Sequence, residues 1–307
     1  MMTPLKGRWH GQMGLVLIRL AGMEGNTEYT DRAIIEFTAA VYHYELAGHE
    51  RYCALNLNNL AMTLYKLKRY RDAHEHLDRA QLIFTRLKDH GNLAQVDETR
   101  ARILVAEGSY REANRIIAGV IQTFEKGGES AYLADALTVQ GVVWAKLGSY
   151  ESSISILRRA ADVAEVVGAR ASAGLAVLTL IEEHGARRLS PPEASKVYLR
   201  ADRLLKGTQD AEDIERLRAC ARIVTRRLSG MRLRDNDFTF YGAIHDFEAS
   251  LIEQALEETQ GSVTGAANLL GLKHQTLITM LKTRHKRLQM KRTPPKKRLR
   301  SIVKKPE

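Results

Sequence analysis

The sequence has little of what stiffens, cross-links or anchors a fold. It has two cysteines in 307 residues, Cys53 and Cys220. They are too few and too far apart for a disulfide framework or a zinc spacing, and a reducing cytoplasm fits them. Six prolines leave long stretches free of helix breakers. Aromatic residues make up only 6% of the chain, so alanine and leucine must fill the core, as suits helix packed on helix. No apolar run approaches the roughly 18 residues of a membrane span. Met13–Ile18, after Lys6 and Arg8, imitates a signal peptide, but Arg19 interrupts it and no small-residue cleavage site follows. There is no P-loop, dinucleotide fingerprint, zinc spacing or nucleophile motif. His74 and His76 lie two apart on a helical pattern, which points their rings apart. The chain is therefore expected to be no enzyme and to use no cofactor or metal.

Acids are scarce in one place. From Gly261 onward there are 13 Lys and Arg against a single acid, Glu307, whereas the preceding residues hold 34 bases and 35 acids. The whole net charge of +11 therefore sits at the C-terminal end. Such asymmetry points to a polyanion there.

What the chain has instead is a period of forty. Leu60-Ala61, Lys68, Tyr70, Ala73, Leu77 and Ala80 are followed forty residues later by Ala101, Gly108, Tyr110, Ala113, Ile117 and Val120. Forty later again come Gly141, Gly148, Tyr150, Ser153, Leu157 and Ala160. Stepping back gives Leu20-Ala21, Ala33, Phe37 and Ala40, a partial first copy that absorbs the signal-like segment. A weaker copy, opened by Pro191-Pro192, has Ala194, Tyr198 and Ala201. Each unit reads as helix, turn, helix. Small residues at 61, 101 and 141 permit close approach, glycine at 108 and 148 suits a left-handed turn, and the tyrosine opens the second helix. One such pair cannot bury its apolar face alone, so the pairs stack.

These residues resemble tetratricopeptide repeats, lengthened from 34 to 40 residues, over about residues 17 to 205. The large aromatic of the family's first helix is replaced by Leu57, Asp97 and Leu137. The resemblance implies a scaffold that binds a protein or peptide. A further charged helix follows from Gly207 to about Leu228.

After His245 the helical period returns with Phe247, Leu251, Ile252, Ala255 and Leu256, closed by Thr259-Gln260-Gly261. Ser262 is the natural N-cap of the next helix, with Thr264 a second candidate. Ala266 and Ala267 are small where two helices cross, Leu269 and Leu270 are expected in the core, and Gly271 makes the turn. Leu272, Leu277 and Leu281 anchor the following helix. That layout is a helix-turn-helix. The string ALEETQG, then T-x-AA-x-LLG-L, then TL-xxx-LK resembles the Fis family of bacterial helix-turn-helix domains. The resemblance implies double-stranded DNA as partner and a homodimer, because one motif covers only a half-site.

The expected reading face is Lys273, His274, Gln275, Thr276, Thr279 and Lys282, continued by Arg284, Lys286 and Arg287. Gln275 suits an adenine edge, Lys273 a guanine or phosphate, and Thr276 and Lys282 phosphate oxygens. Ile278, Thr279 and Met280 stand where the family carries further basic residues.

The expected fold is all-α: a tetratricopeptide-like superhelix over residues 1–228, a linker at 229–244, a helix-turn-helix at 245–288 and a disordered basic tail at 289–307. The expected function is a cytoplasmic bacterial DNA-binding transcriptional regulator whose repeats sense a protein or peptide, with no membrane attachment. The alternative is a repeat scaffold whose basic end binds RNA, membrane or an acidic partner.

Overall fold

Five helical hairpins and a closing helix account for the first part of the chain. In the computed structural model, which describes residues 3–128, 130–228 and 240–291, the first helices of the pairs are α1 (Thr3–Glu24), α3 (Glu50–Lys66), α5 (His90–Ala106), α7 (Ser130–Lys146) and α9 (Arg170–Leu180). Their partners are α2 (Thr27–Leu46), α4 (Tyr70–Leu87), α6 (Tyr110–Gly127), α8 (Tyr150–Val166) and α10 (Pro191–Leu204). A wide helical turn, Ile181–Gly185, extends α9, and α11 (Ala211–Leu228) follows. Among the described residues there is no β-strand. The chain divides into two compact units, residues 1–228 and 229–307.

The period of forty is a packing register. Tyr70, Tyr110 and Tyr150 each open a second helix. Gly108 and Gly148 take left-handed φ values of 83° and 85° just before them. In the earlier copy Lys68 adopts the same conformation at 59°, which a non-glycine residue adopts less readily. Ala61, Ala101 and Gly141 lie where the two helices of a pair touch, and all are buried. A methyl group on Gly141 would come within 2.5 Å of Leu157 on its own partner helix.

The first hairpin is a full pair, where the sequence pattern showed only part of a copy. The glycines of α1 hide the period. Gly7, Gly11 and Gly14 replace larger side chains, and a Cβ there would meet Tyr44 at 3.1 Å, Asn56 at 2.8 Å and Phe37 at 2.6 Å. Helix α1 therefore sits backbone-close on α2, with Gly11 against the Asn56 side chain of α3.

Two apolar clusters result. One runs from α1 to α5 and the other from α5 to α11. Helix α5 serves both, with Val96 and Ile103 on one side and Ala94, Ala101 and Leu104 on the other. Successive second helices are also joined by ion pairs: Glu45 with Arg79, Glu125 with Arg159 at 2.6 Å, and Glu165 with Arg200 at 3.0 Å. These groups are largely half-exposed, so each pair contributes at most about 1 kcal/mol and serves register more than stability. The last helix returns to the first, with the Asp210 carboxylate set against Gly22 of α1 and Ala211 against Gly25. Burial pushes the Cys53 thiol up to about 11 and the Cys220 thiol up to about 12, so both stay protonated.

The second unit has α12 (Phe240–Glu258), α13 (Val263–Leu269), α14 (His274–Thr283) and a tight turn, Lys286–Lys291. Helix α12 begins inside the stretch read as linker, because Tyr241 and Ile244 continue the spacing of Phe247 and Leu251. Residues 229–239 of that linker lie outside the described residues. At the other end the chain stays folded past the expected start of the tail. Leu288 is buried, and Lys291 pairs with Glu253 at 2.5 Å and Glu257 at 2.6 Å on α12. The expected tail from 292 to 307 lies outside the described residues.

Gly14→Ala tests the close seating of α1. The buried Phe37 ring must move to admit the methyl group, and overpacking of this kind costs about 1–3 kcal/mol. The expected result is a lower urea midpoint of unfolding with an unchanged slope.

Candidate nucleic-acid interface

Helix α13 is a short platform. Ser262 caps it, its Oγ accepting the Gly265 N–H at 3.2 Å, and Thr264 is not needed for that role. Ala266 and Ala267 are fully buried and let α14 come close. Gly271, with φ 65°, turns the chain. Leu277 and Leu281, one turn apart and both fully buried, pin α14 to α12 and α13 through Ala249, Ile252, Ala255 and Leu256.

One expected core residue is misplaced: Leu269 is 56% exposed. Residues 266, 267 and 270 share the inner face of α13 at helical spacing, and 269 falls off it. Leu270 and Leu272 pack on the core from its edge, as does Met280. Met280 therefore supports the helix.

All six expected residues of the recognition helix are exposed: Lys273, His274, Gln275, Thr276, Thr279 and Lys282. They do not form a single face. Gln275, Thr279 and Lys282 follow at i, i+4 and i+7 and make a stripe opposite Leu277 and Leu281. Thr276 flanks it, as does Thr283, an exposed residue that sequence reasoning passed over. His274 belongs to the first turn, on the side of Ile278. Lys273 is the N-cap, in extended conformation, and its side chain makes no capping bond. The first turn bonds back only from Thr276 and Leu277 to the Lys273 carbonyl, so the N–H groups of His274 and Gln275 point out of the helix end, where they suit a phosphate oxygen.

The hydroxyls are partly committed. Thr279 donates to the Gln275 carbonyl at 2.9 Å, and Thr283 donates to the Thr279 carbonyl at 2.8 Å. Each keeps its acceptor capacity, which suits a base amino group better than a phosphate.

The remaining cations divide into two kinds. Arg284 stands 3.6 Å from Glu248, and the buried His285 ring 3.3 Å from the same carboxylate. With Lys291 on Glu253 and Glu257, α12 draws this segment inward. Lys286 and Arg287 are exposed in the tight turn. An extended arm leaving directly from α14 is not what residues 284–291 form.

Residues 243–282 match the family model of bacterial regulatory proteins of the Fis family. The second unit carries a Fis-family helix-turn-helix. The match covers a small part of the chain, and the rest is compared by fold. The crystal structure of a Rap protein complexed with competence and sporulation factor is similar to the chain, with a TM-score of 0.60 and 16% identity, covering 95% of this chain and 78% of that one. This is a likeness of fold, and it agrees with a tetratricopeptide-like body. No curated protein matches the chain.

That body has a partly buried polar cluster between α3, α5 and α7. Burial pushes the Glu98 carboxyl up; its ion pair with Arg102 opposes the rise and Asp135 of α7 adds to it. Burial works against the Arg102 charge, and Glu98, Asp135 and the Tyr65 hydroxyl of α3 outweigh it. Glu212 of α11 acts on the same hydroxyl. Helices α5, α7 and α11 thus bring charged groups, and α3 a tyrosine hydroxyl, to one partly exposed region.

On the Fis-family face, Lys282→Ala is expected to lower the salt slope of DNA binding by about 1, and Gln275→Ala to cost about 1–3 kcal/mol on a selected site. Fluorescence anisotropy with selected and random duplexes measures both. An unchanged circular dichroism spectrum separates contact from unfolding.

Proposed function

We propose that the protein is a DNA-binding transcriptional regulator, with the Fis-family unit on the duplex and the repeat body receiving a peptide or protein. The observation that carries the reading is the stripe of Gln275, Thr279 and Lys282. It is solvent-facing and polar, and Leu277 and Leu281 hold it rigidly from behind. That is the form a major-groove helix needs. Lys273, Lys286 and Arg287 supply charge around it, and the basic residues after Arg292 extend the phosphate contact. The reading places the protein in the cytoplasm and assigns it no catalytic step.

The sensing half of the proposal rests on the polar cluster of Tyr65, Glu98, Arg102 and Asp135. One similar solved structure is that of a Rap protein complexed with competence and sporulation factor. A partly exposed polar cluster on a tetratricopeptide-like body supports a peptide or protein segment as the ligand here.

The unit acts as a dimer in this proposal. Ile244, Phe247 and Leu251 form an exposed apolar stripe on α12 at i, i+3 and i+7, with Phe247 65% exposed. The opposite face of α12 is already buried in the helix-turn-helix core. A two-fold partner covering this stripe would pair two recognition helices, as two half-sites about 34 Å apart require.

Titrating the full chain with random-sequence duplex DNA across a salt series, with and without the residues after Arg292, checks the central claim. Binding that weakens linearly with log salt, and less steeply after truncation, is expected. No binding at low salt would overturn the reading. For the dimer, Phe247→Asp is expected to convert the protein to monomer in sedimentation and to weaken binding to a two-half-site duplex while sparing circular dichroism.

A further inference from the structure

Helix α1 departs from the repeat on its outer side. Val16, Arg19 and Met23 stand forty residues before Asn56, Asn59 and Thr63, and eighty before Val96, Thr99 and Ile103. In α3 and α5 this register faces the preceding pair. Asn56 lies against Gly11 of α1, and Val96 and Ile103 join the cluster of the first helices. All but Asn59 are buried. In α1 the register is open, and apolar residues extend it. Leu5, Trp9, Val16 and Met23 are between 43% and 68% exposed.

The outer faces of terminal repeats in a solenoid are ordinarily polar. The last helix of the body, α11, obeys this rule, with Glu215, Arg218 and Arg222 exposed and joined by ion pairs. Helix α1 does not. Gly7 and Gly14 seat its opposite side on Tyr44 and Phe37, so the stripe cannot turn inward. Trp9 stands edge-on to His10 at 4.8 Å, and His10 is bonded to Glu36 of α2 at 2.7 Å, which holds the indole in place.

Leu5, Trp9, Gln12, Val16, Arg19 and Met23 follow one another at steps of four and three, the seam of a two-helix coil. We propose that this seam pairs with the same seam of a second copy, antiparallel and about a two-fold axis. The chemistry of the seam selects that occupant. Turned end for end, it sets Leu5 against the partner's Met23 and the Trp9 ring against the partner's Arg19, a cation on an indole face. Arg19 meets no carboxylate among the described residues. Gln12 falls opposite the partner's Val16, the kind of polar step that fixes register at a cost in stability. On the flank, Arg8 falls beside the partner's Gly22, where the carboxylate of the partner's Asp210 lies. A parallel pairing would instead set Arg19 on the partner's Arg19. A single helix pair makes a small interface, so this contact is weaker than the α12 pairing and forms at concentrations above those of DNA binding. It gives a DNA-bound molecule a second means of engaging another copy.

The test uses the full chain carrying Phe247→Asp, which removes the α12 contact and keeps the two readings apart. Leu5→Cys and Met23→Cys are added singly and together. Residues 5 and 23 lie about 27 Å apart along one helix, so a disulfide between them must join two copies. Cys53 and Cys220 are buried and do not compete. Under oxidised glutathione the double variant is expected to give a bridged dimer on a non-reducing gel, and neither single variant to do so. No bridge in the double variant, or equal bridging in the single ones, overturns the proposal. In sedimentation at rising concentration, Trp9→Glu is expected to weaken self-association about thirtyfold, as loss of a central aromatic anchor does, and to spare circular dichroism, while Trp9→Phe retains the association. Association unchanged by Trp9→Glu overturns the proposal. A chain that stays monomeric at every concentration leaves the seam to a different protein and overturns it as well.

Discussion

Close approach of helix to helix is the constraint on which this structure rests. Each pair in the repeat body crosses where at least one side chain is alanine or glycine, and the neighbouring leucine or phenylalanine fills the space released. Gly141 against Leu157, Gly174 against Leu205 and Gly14 against Phe37 are the tightest examples. The Fis-family unit obeys the same rule with Ala266 and Ala267 beneath α14. Close crossings leave little room for alternative packing, so helix positions are set by backbone contact as much as by side-chain shape. The stripe on α14 inherits its rigidity from this.

Charge is distributed by a second rule. The repeat body is rich in arginine yet close to neutral, because many of its guanidinium groups join one repeat to the next. Arg79, Arg159, Arg200 and Arg216 each meet a carboxylate contributed by the preceding pair. In the C-terminal unit α12 takes up Arg284 and Lys291 in the same manner. Among the described residues, the exposed cations around α14 that meet no carboxylate are Lys273, Lys282, Lys286 and Arg287.

Departures from the repeat carry as much information as the repeat. A solenoid built of similar pairs needs an apolar residue at 57, 137 and 177, and Asp97 at that register weakens the junction it occupies. The neighbouring Gly119 and Thr123 add to the loss instead of compensating for it.

Much of this was legible in the sequence. The period of forty placed the paired helices, the tyrosines that open second helices and the turn glycines. Ala266-Ala267, Gly271, Leu277 and Leu281 placed the helix-turn-helix. These features are local, repeating every few residues or at fixed offsets, so a linear reading captures them. Other features needed the fold. The glycines of α1 concealed a complete first pair, because their partners Phe37, Tyr44 and Asn56 lie on other helices. The inward folding of residues 284–291 depends on carboxylates of α12 more than thirty residues away. Leu269 faces solvent because a helix as short as α13 has only one inner face. Sequence alone determined which segments are helices and which residue types they present. Tertiary structure decided which of those residues are spent on each other and which are left for a partner, because ion pairs and close crossings form between elements distant in the chain.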